Sequence, residues 1–454
     1  MHPIIEEYIA FSPGSAALAK RAAAVFPGGD TRASAHYGPY PLAMDHAEGC
    51  ILTDVDGHEI IDFMNNFTSL IHGHAFPAVV EAVQTQIALG SAYAAPNESQ
   101  VALAELIVGR VPSIEQLRFT SSGTEGTNMA LRCSRAATGR QKIMKMEGGY
   151  HGSYEQAEVA LAPIPELRGN VDAPISTPID GSFPDSVLAD TVICPYNEPE
   201  LAEALINKHA DQLAAVIVEP VMGSMGMVVA TTEFLTSLRE ATQRHGVILI
   251  FDEVITLRLA PGGAQDMHGV IPDLTCMGKI IGGGLPVGGV GGRRDLMQLF
   301  SPEAKRPVMH ASTFSGNALT MAAGYASMQA FDEAENQRIN DLGLQLREGF
   351  NQAFRQSGIK AQVLGSGSLS NVLFVDGDVV NARQSFDSML EAGDVGQLLH
   401  LLMLRRGIAS ASRLMYCTST AMTEAEVLKA VTAMHESLAE LRPFLETDNP
   451  QILH

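Results

Sequence analysis

The chain has 454 residues, more than one hydrophobic core normally serves, so a large domain with a smaller one beside it is expected. Its 46% hydrophobic residues, 18% charged residues and 42 glycines fit a compact α/β protein and exclude a disordered or fibrous one. A formal net charge of -21 argues against a nucleic-acid partner, which needs clustered Lys and Arg, and means that an anionic ligand must be met by local cations. The cysteines Cys50, Cys133, Cys194, Cys276 and Cys417 are scattered and odd in number, which points to a reducing cytoplasm rather than to a zinc site or disulfide scaffold. The N-terminal segment carries early acids and lacks the basic-then-apolar order of a signal peptide, and no apolar run has the length of a membrane span, so no membrane partner is expected.

Residues 1–77 mix short helical and strand patterns and are expected to begin a small domain. They include ILTDVDGHEIIDF, where a turn at Asp56-Gly57 parts two apolar runs like a hairpin. His72-Gly73-His74 follows, and two histidines without acidic or thiol partners do not make a metal site. Across 78–331 the strand patterns QLRFT, AAVIVEP, GVILIFDEVIT and GGVGG alternate with helices, which predicts a large domain built on a parallel sheet with helices on both faces. The amphipathic stretch TTEFLTSLREATQRHG has the length of a crossover helix between two parallel strands. It sets Glu219 and Asp252 at equivalent strand ends, where ligands of open α/β sheets bind. Residues 332–454 carry long helical patterns around a few strands, including QVLGSGSLSNVLFV, and are expected to complete the small domain.

Three stretches carry chemistry. QLRFT runs into Ser121-Ser122-Gly123-Thr124-Glu125-Gly126-Thr127-Asn128 and then the helical MALRCSRAAT. The free N–H groups of a helix start, with its positive dipole end, form a site for a phosphate. Gly123 allows close approach, and the hydroxyls of Ser122 and Thr124 add hydrogen bonds. Read alone, the turn is more simply a helix capped by Ser122 or Thr124. No dinucleotide-type glycine fingerprint follows a strand, and Gly278-Lys279 is not a P-loop because Ile280 stands where Ser or Thr is needed.

Asp252 ends the apolar strand VILIF, so its carboxylate is expected to be partly desolvated and to need a cation, unless it is an ordinary acid capping a loop. A protonated ring nitrogen meets that need and turns the ring into an electron sink. Lys279 comes 27 residues later among apolar neighbours and before Gly282, Gly283 and Gly284. That setting favours the lowered pKa of an amine nucleophile, the alternative being a lysine snorkelling from the core. The three glycines would let a flat ligand approach closely. Tyr150-His151-Gly152 offers an aromatic face, and Thr313 is a loop hydroxyl in HASTFSGN.

In order along the chain, PGGDTRAS, LRFTSSGTEGTNMALRCSRAATGRQKI, EGGYHG, VIVEPV, FDEVIT, PDLTCMGKIIGGGLPVGGVGGRRD and TFSGNALTMAAG resemble the class III pyridoxal-5′-phosphate (PLP) aminotransferases of fold type I, the group that includes glutamate-1-semialdehyde aminomutase. The resemblance implies a large domain with a mostly parallel sheet, a smaller α+β domain drawn from both termini, and PLP as cofactor. It implies Lys279 as the Schiff-base lysine, Asp252 as partner of the pyridine nitrogen, and Tyr150 and Val254 on the two ring faces. Ser122, Gly123 and Thr124 would hold the phosphate, Thr313 would reach it from a second subunit, and Glu219 would lie near the cofactor. A homodimer with shared active sites follows.

Leu257-Arg258-Leu259-Ala260-Pro261 after DEVIT, and the stretch after Tyr-His-Gly, depart from the aminomutase and resemble β-amino-acid aminotransferases of the β-phenylalanine type. Arg32 and Arg413 stand in the places of that subgroup's carboxylate-binding arginines, and a guanidinium is the group best suited to grip a carboxylate at two points. The expected activity is ping-pong transfer of an amino group from a small-molecule donor, a β-amino acid such as β-phenylalanine, to a keto-acid acceptor, with Lys279 as nucleophile and general acid/base. An aminomutase or racemase would use the same apparatus within one molecule. A PLP-binding protein without catalysis is the third reading, and the presence of both Lys279 and Asp252 speaks against it.

Overall fold

The computed structural model describes residues 1–454. Seven strands form the largest sheet: β1 (Gln116–Thr120), β2 (Lys142–Met146), β3 (Thr191–Cys194), β4 (Leu213–Val218), β5 (Ile248–Asp252), β6 (Leu274–Gly278) and β7 (Gly288–Gly292). Their order is β1-β7-β6-β5-β4-β2-β3. The central strands β4, β5 and β6 are buried along their whole length, as expected of apolar strands covered on both faces. The sheet belongs to a unit formed by residues 77–336 and 379–386.

Neighbours from β6 through β3 run parallel, while β7 is antiparallel to both β6 and β1. The alternation of strands and helices predicts a parallel sheet, and β7 departs from it for a simple reason. Only residues 279–287 join β6 to β7, and a return crossover to a parallel strand takes a dozen residues or more. The glycines of β7 then allow close approach: a Cβ on Gly288 would lie 1.9 Å from the Ser122 carbonyl oxygen. Because β1 and β6 are both antiparallel to β7, they point the same way, and six strands deliver their carboxyl ends to one edge of the sheet.

Two helices matter most for what that edge carries. Helix α1 (Gly123–Thr138) starts directly after β1, with Ser122 as its N-cap. Helix α2 (Thr232–His245) connects β4 to β5; Thr231 caps it, Gly246 ends it at φ 61°, and Phe234, Leu235, Leu238 and Ala241 form its buried stripe. The register of β4 on β5 pairs Val218 with Phe251, so Glu219 comes level with Asp252.

The second unit comprises residues 1–76, 337–378 and 387–454. Ile51–Asp54 and Glu59–Asp62 form an antiparallel hairpin turning at Gly57 (φ 88°), and Ile408–Ala409 adds to it in parallel. Gln362–Leu364, Leu369–Leu373 and Met415–Cys417 make a separate antiparallel sheet. Tyr8, Phe63, Phe350, Phe354, Phe374 and Tyr416 are the aromatic members of the core of this unit.

Candidate functional site

At the end of β1 the Ser122 hydroxyl accepts the Glu125 N–H at 3.2 Å, while the Glu125 carboxylate accepts the Ser121 N–H at 2.9 Å. The capped-helix reading of this turn and the anion-site reading are therefore compatible. Ser122 satisfies one first-turn donor, and the geometry of a helix start leaves the others to external partners. The loop after β2 packs directly on this turn. Thr127 Oγ1 donates to the His151 carbonyl at 2.5 Å, Thr124 Oγ1 accepts the Ser153 N–H at 3.3 Å, and a Cβ on Gly152 would sit 2.7 Å from Thr124. Tyr150, beside them, is 37% exposed.

Asp252 is buried, and both of its oxygens are engaged. Oδ2 lies 2.9 Å from His151 Nδ1, and Oδ1 accepts the Val254 N–H at 3.1 Å. His151 is itself buried, and burial lowers its pKa against the opposing pull of Asp252. Its Nε2 has no hydrogen-bond partner. Glu219 accepts the N–H groups of Tyr150 at 2.8 Å and Gly223 at 3.1 Å. Burial and then the Asp252 charge raise its pKa to about 8, with Lys279 among the groups that oppose the rise. Lys145, on β2, is completely buried and donates to the Val159 carbonyl at 2.6 Å; burial lowers its pKa to about 7, although Glu219, Glu158 and Glu147 hold it up. The edge thus concentrates two acids, a lysine and a histidine in a medium that disfavours uncompensated charge.

Lys279 follows β6 and adopts φ 49°, the left-handed region, at the start of a short 3₁₀ turn. Cys276 pairs with Asp252 in the β5–β6 register, which puts Lys279 three residues beyond the level of that acid. Val254 is the hub between Gly123 and Gly278: a Cβ on either glycine would stand 3.2 or 3.3 Å from its methyl groups. Two of the three glycines after Lys279 are required by the protein's own packing. A Cβ on Gly282 would meet Val287 at 2.5 Å and one on Gly283 the Ala323 carbonyl at 2.4 Å, so these two make room for the protein's own packing.

Thr313 is exposed. Its neighbour Ser312 lies 3.3 Å from Ser121 through their hydroxyls, and the nearby Met309 and Phe314 are 66% and 61% exposed.

In the second unit Arg32 and Arg413 converge on one turn, Asn65–Thr68. Arg32 Nη1 donates to Asn66 Oδ1 at 3.0 Å, and the Arg413 guanidinium carbon stands 5.7 Å from the centre of the Phe67 ring. His72 bonds Thr420 at 2.7 Å, and His74 finds an acidic partner that its sequence surroundings did not reveal, Asp62 at 2.7 Å.

His151, Lys145 and Asn66 were not among the residues expected from sequence. Lys145 left a trace, a second charge inside the strand KIMKM. His151 stood in a motif noted only for its tyrosine, and its bond to Asp252 spans 101 residues. Asn66 left no sequence signal.

The family model described as Aminotransferase class-III matches residues 33–405, which leaves Arg32 and Arg413 just outside the matched stretch. A glutamate-1-semialdehyde 2,1-aminomutase from Thermodesulfovibrio yellowstonii is 37% identical over 431 residues, covering 93% of this chain and 98% of that protein. The crystal structure of an omega-transaminase from Sphaerobacter thermophilus superposes with a TM-score of 0.90 at 43% identity, covering 96% of this chain and 99% of the other. That of a beta-phenylalanine aminotransferase from Variovorax paradoxus superposes with a TM-score of 0.87 at 35% identity and 97% coverage of both chains.

Proposed function

This chain belongs to the class III aminotransferases and is a PLP-dependent enzyme, and from that premise we propose that it transfers the amino group of a β-amino acid such as β-phenylalanine to a 2-keto acid. The observation that carries the catalytic part is the gathering of Glu219, Asp252 and Lys279 at the ends of three adjacent strands, beside the glycine turn that opens α1. The convergence of Arg32 and Arg413 on one turn supports a carboxylate-bearing donor.

The residues present fit PLP. Gly123 and Gly278 leave Val254 as a smooth apolar floor that a Cβ would disturb. Asp252, buried beside a histidine whose burial disfavours its charged form, gains from meeting a protonated ring nitrogen. On this reading Ser122, Gly123 and Thr124 would hold the phosphate together with the partner subunit's Thr313. Tyr150 would cover the ring face opposite Val254, and Glu219 would shape the site. Bound PLP supplies an aldehyde carbon that links covalently to amines and a ring that draws electrons from the carbon being deprotonated. Asp252 keeps the ring nitrogen charged. Lys279 would accept on Nζ the proton lost by the donor's amine-bearing carbon and would return it two atoms along, across the nitrogen, as a 1,3 shift. Arg32 and Arg413 fix substrate carboxylates through charge-assisted pairs of hydrogen bonds. The keto product leaves before the acceptor binds, which gives ping-pong kinetics.

A homodimer in the cytoplasm completes the proposal. The exposed apolar side chains of Met309 and Phe314 around Thr313 support burial against a second subunit. Five free cysteines, all buried, support a reducing compartment, and no helix is long and apolar enough to cross a membrane.

The second reading, intramolecular transfer, is favoured by the likeness to the aminomutase of Thermodesulfovibrio yellowstonii. Steady-state kinetics with β-phenylalanine, α-amino acids and simple amines, each with pyruvate or 2-oxoglutarate, separate the two. Parallel double-reciprocal plots with β-phenylalanine are expected. Turnover of glutamate 1-semialdehyde without any added acceptor would overturn the proposal.

A further inference from the structure

Asn65, Asn66, Phe67 and Thr68 are four consecutive non-glycine residues at φ 48°, 46°, 55° and 73°. In this region Cβ crowds the following carbonyl oxygen; asparagine enters it with least difficulty, while phenylalanine and the β-branched threonine are outliers there. Backbone of this kind persists only where surrounding contacts over-determine it.

Such contacts are present beneath the turn. Asp62 Oδ1 accepts the N–H groups of both Met64 and Asn65 at 2.9 Å, and Asp62 Oδ2 is held by His74 Nε2 at 2.7 Å. Asn65 Nδ2 donates to the Cys417 carbonyl at 3.0 Å. The same turn presents its other two central side chains to the two arginines. The Asn66 amide is oriented at both ends: its nitrogen donates to Ser69 Oγ at 3.2 Å, so its oxygen is the end offered to Arg32 Nη1 at 3.0 Å. The Phe67 ring lies under the Arg413 guanidinium. A ring face under a guanidinium fixes the plane of that group, as the Met415 Sδ 3.5 Å from Arg413 Nη2 also does, and a guanidinium anchored through a single Nη, as Arg32 is, keeps another edge for a carboxylate.

We propose that Asn66 and Phe67 are positioning residues that set the directions of the Arg32 and Arg413 guanidiniums and so select for donors that carry a carboxylate. This rests on the reading of the two arginines as substrate-carboxylate holders. The strained backbone is what makes the selection possible, because adjacent residues of a left-handed turn aim their side chains in directions that a strand or a right-handed helix would not offer.

The test uses the holoenzyme and two donors that differ by the carboxylate arm, β-phenylalanine and 1-phenylethylamine. Asn66→Gly keeps a residue suited to the same backbone while removing the amide, and Phe67→Leu removes the ring. Each is expected to raise KM for β-phenylalanine about tenfold, the worth of one charge-assisted contact, with kcat and the kinetics of 1-phenylethylamine within about twofold of wild type. Phe67→Tyr, which retains the ring, should restore the wild-type KM. Equal losses on both donors would mean a merely structural turn and would overturn the proposal. Arg32→Ala and Arg413→Ala distinguish the layers of the argument. If they raise KM for β-phenylalanine while Asn66→Gly and Phe67→Leu do not, the positioning proposal fails. If the arginine variants themselves leave that KM unchanged, the carboxylate reading beneath it fails.

Discussion

The sheet edge and the Asn65–Thr68 turn gather functional side chains by opposite means. At the edge, Glu219 and Asp252 sit where parallel register puts them, level with each other at the ends of β4 and β5, and the backbone beneath them is ordinary strand. The turn relies on the reverse, an exceptional backbone held by side chains, with Asp62 and Asn65 pinning four left-handed residues in place. A site made from strand ends should therefore tolerate changes of side chain without unfolding, yet suffer from any atom pushed between its strands. A site made from a strained turn should behave the other way, since a glycine there relieves the backbone while removing function.

The comparison can be broken first through chemistry. Lys279→Ala is expected to lower transamination by at least on the order of a thousandfold, and Asp252→Asn by roughly a hundredfold or more, with little change in thermal unfolding of the apoprotein for either. Activity assays beside calorimetry check this; unfolding of both variants at ambient temperature would mean that these side chains hold the edge together.

Gly288→Ala attacks the same edge through its backbone. The added Cβ would lie 1.9 Å from the Ser122 carbonyl, so β7 and the α1 turn must separate, at a cost of about 3 kcal/mol or more. Chemical denaturation of the apoprotein measures it, and wild-type stability would show that this approach is loose.

Glu219→Gln sharpens the electrostatic side. With the Glu219 pKa raised from 4.5 to about 8 by burial, the folded state keeps a proton that the unfolded state releases. That contribution to stability is fully present below the unfolded pKa and is lost as pH rises through the folded one. The apoprotein of the variant should therefore gain on wild type between about pH 4.5 and 8, by on the order of a few kcal/mol, and hold a constant lead above that. A lead that does not change with pH would show Glu219 to be ionised in the fold.

The smallest expected effect lies at the turn. Phe67→Gly removes about 1 kcal/mol of left-handed strain while losing a half-buried ring, so a net change in stability within about 1 kcal/mol is expected. A loss of several kcal/mol in denaturant unfolding would mean that the ring, rather than Asp62 and Asn65, holds the turn.

Much of the sheet edge is legible in the sequence. VILIF reads as a buried strand because its apolar run is continuous, and the helix between Val218 and Phe251 has the length of a parallel crossover, so Glu219 and Asp252 are expected at equivalent strand ends; that the two strands are neighbours is decided by the sheet order. Ser122-Gly123 reads as a helix start from capping chemistry within a few residues. The antiparallel course of β7 was less legible, because it follows from the shortness of a link rather than from the composition of GGVGG. The glycines after Lys279 announced a close approach without saying what approaches, and the answer lay in Val287 and Ala323.

The amino-acid sequence by itself determined strand identity, helix caps, the crossover and the family, since each depends on neighbours along the chain or on ordered motifs. Tertiary structure alone decided that His151 meets Asp252, that Lys145 loses its water beside Glu219, and that Asn66 and Phe67 face two arginines from a left-handed turn. The physical reason is range. Propensity and capping act over a few residues, whereas desolvation, charge coupling and a φ angle forced positive arise only when segments remote in sequence are packed against one another.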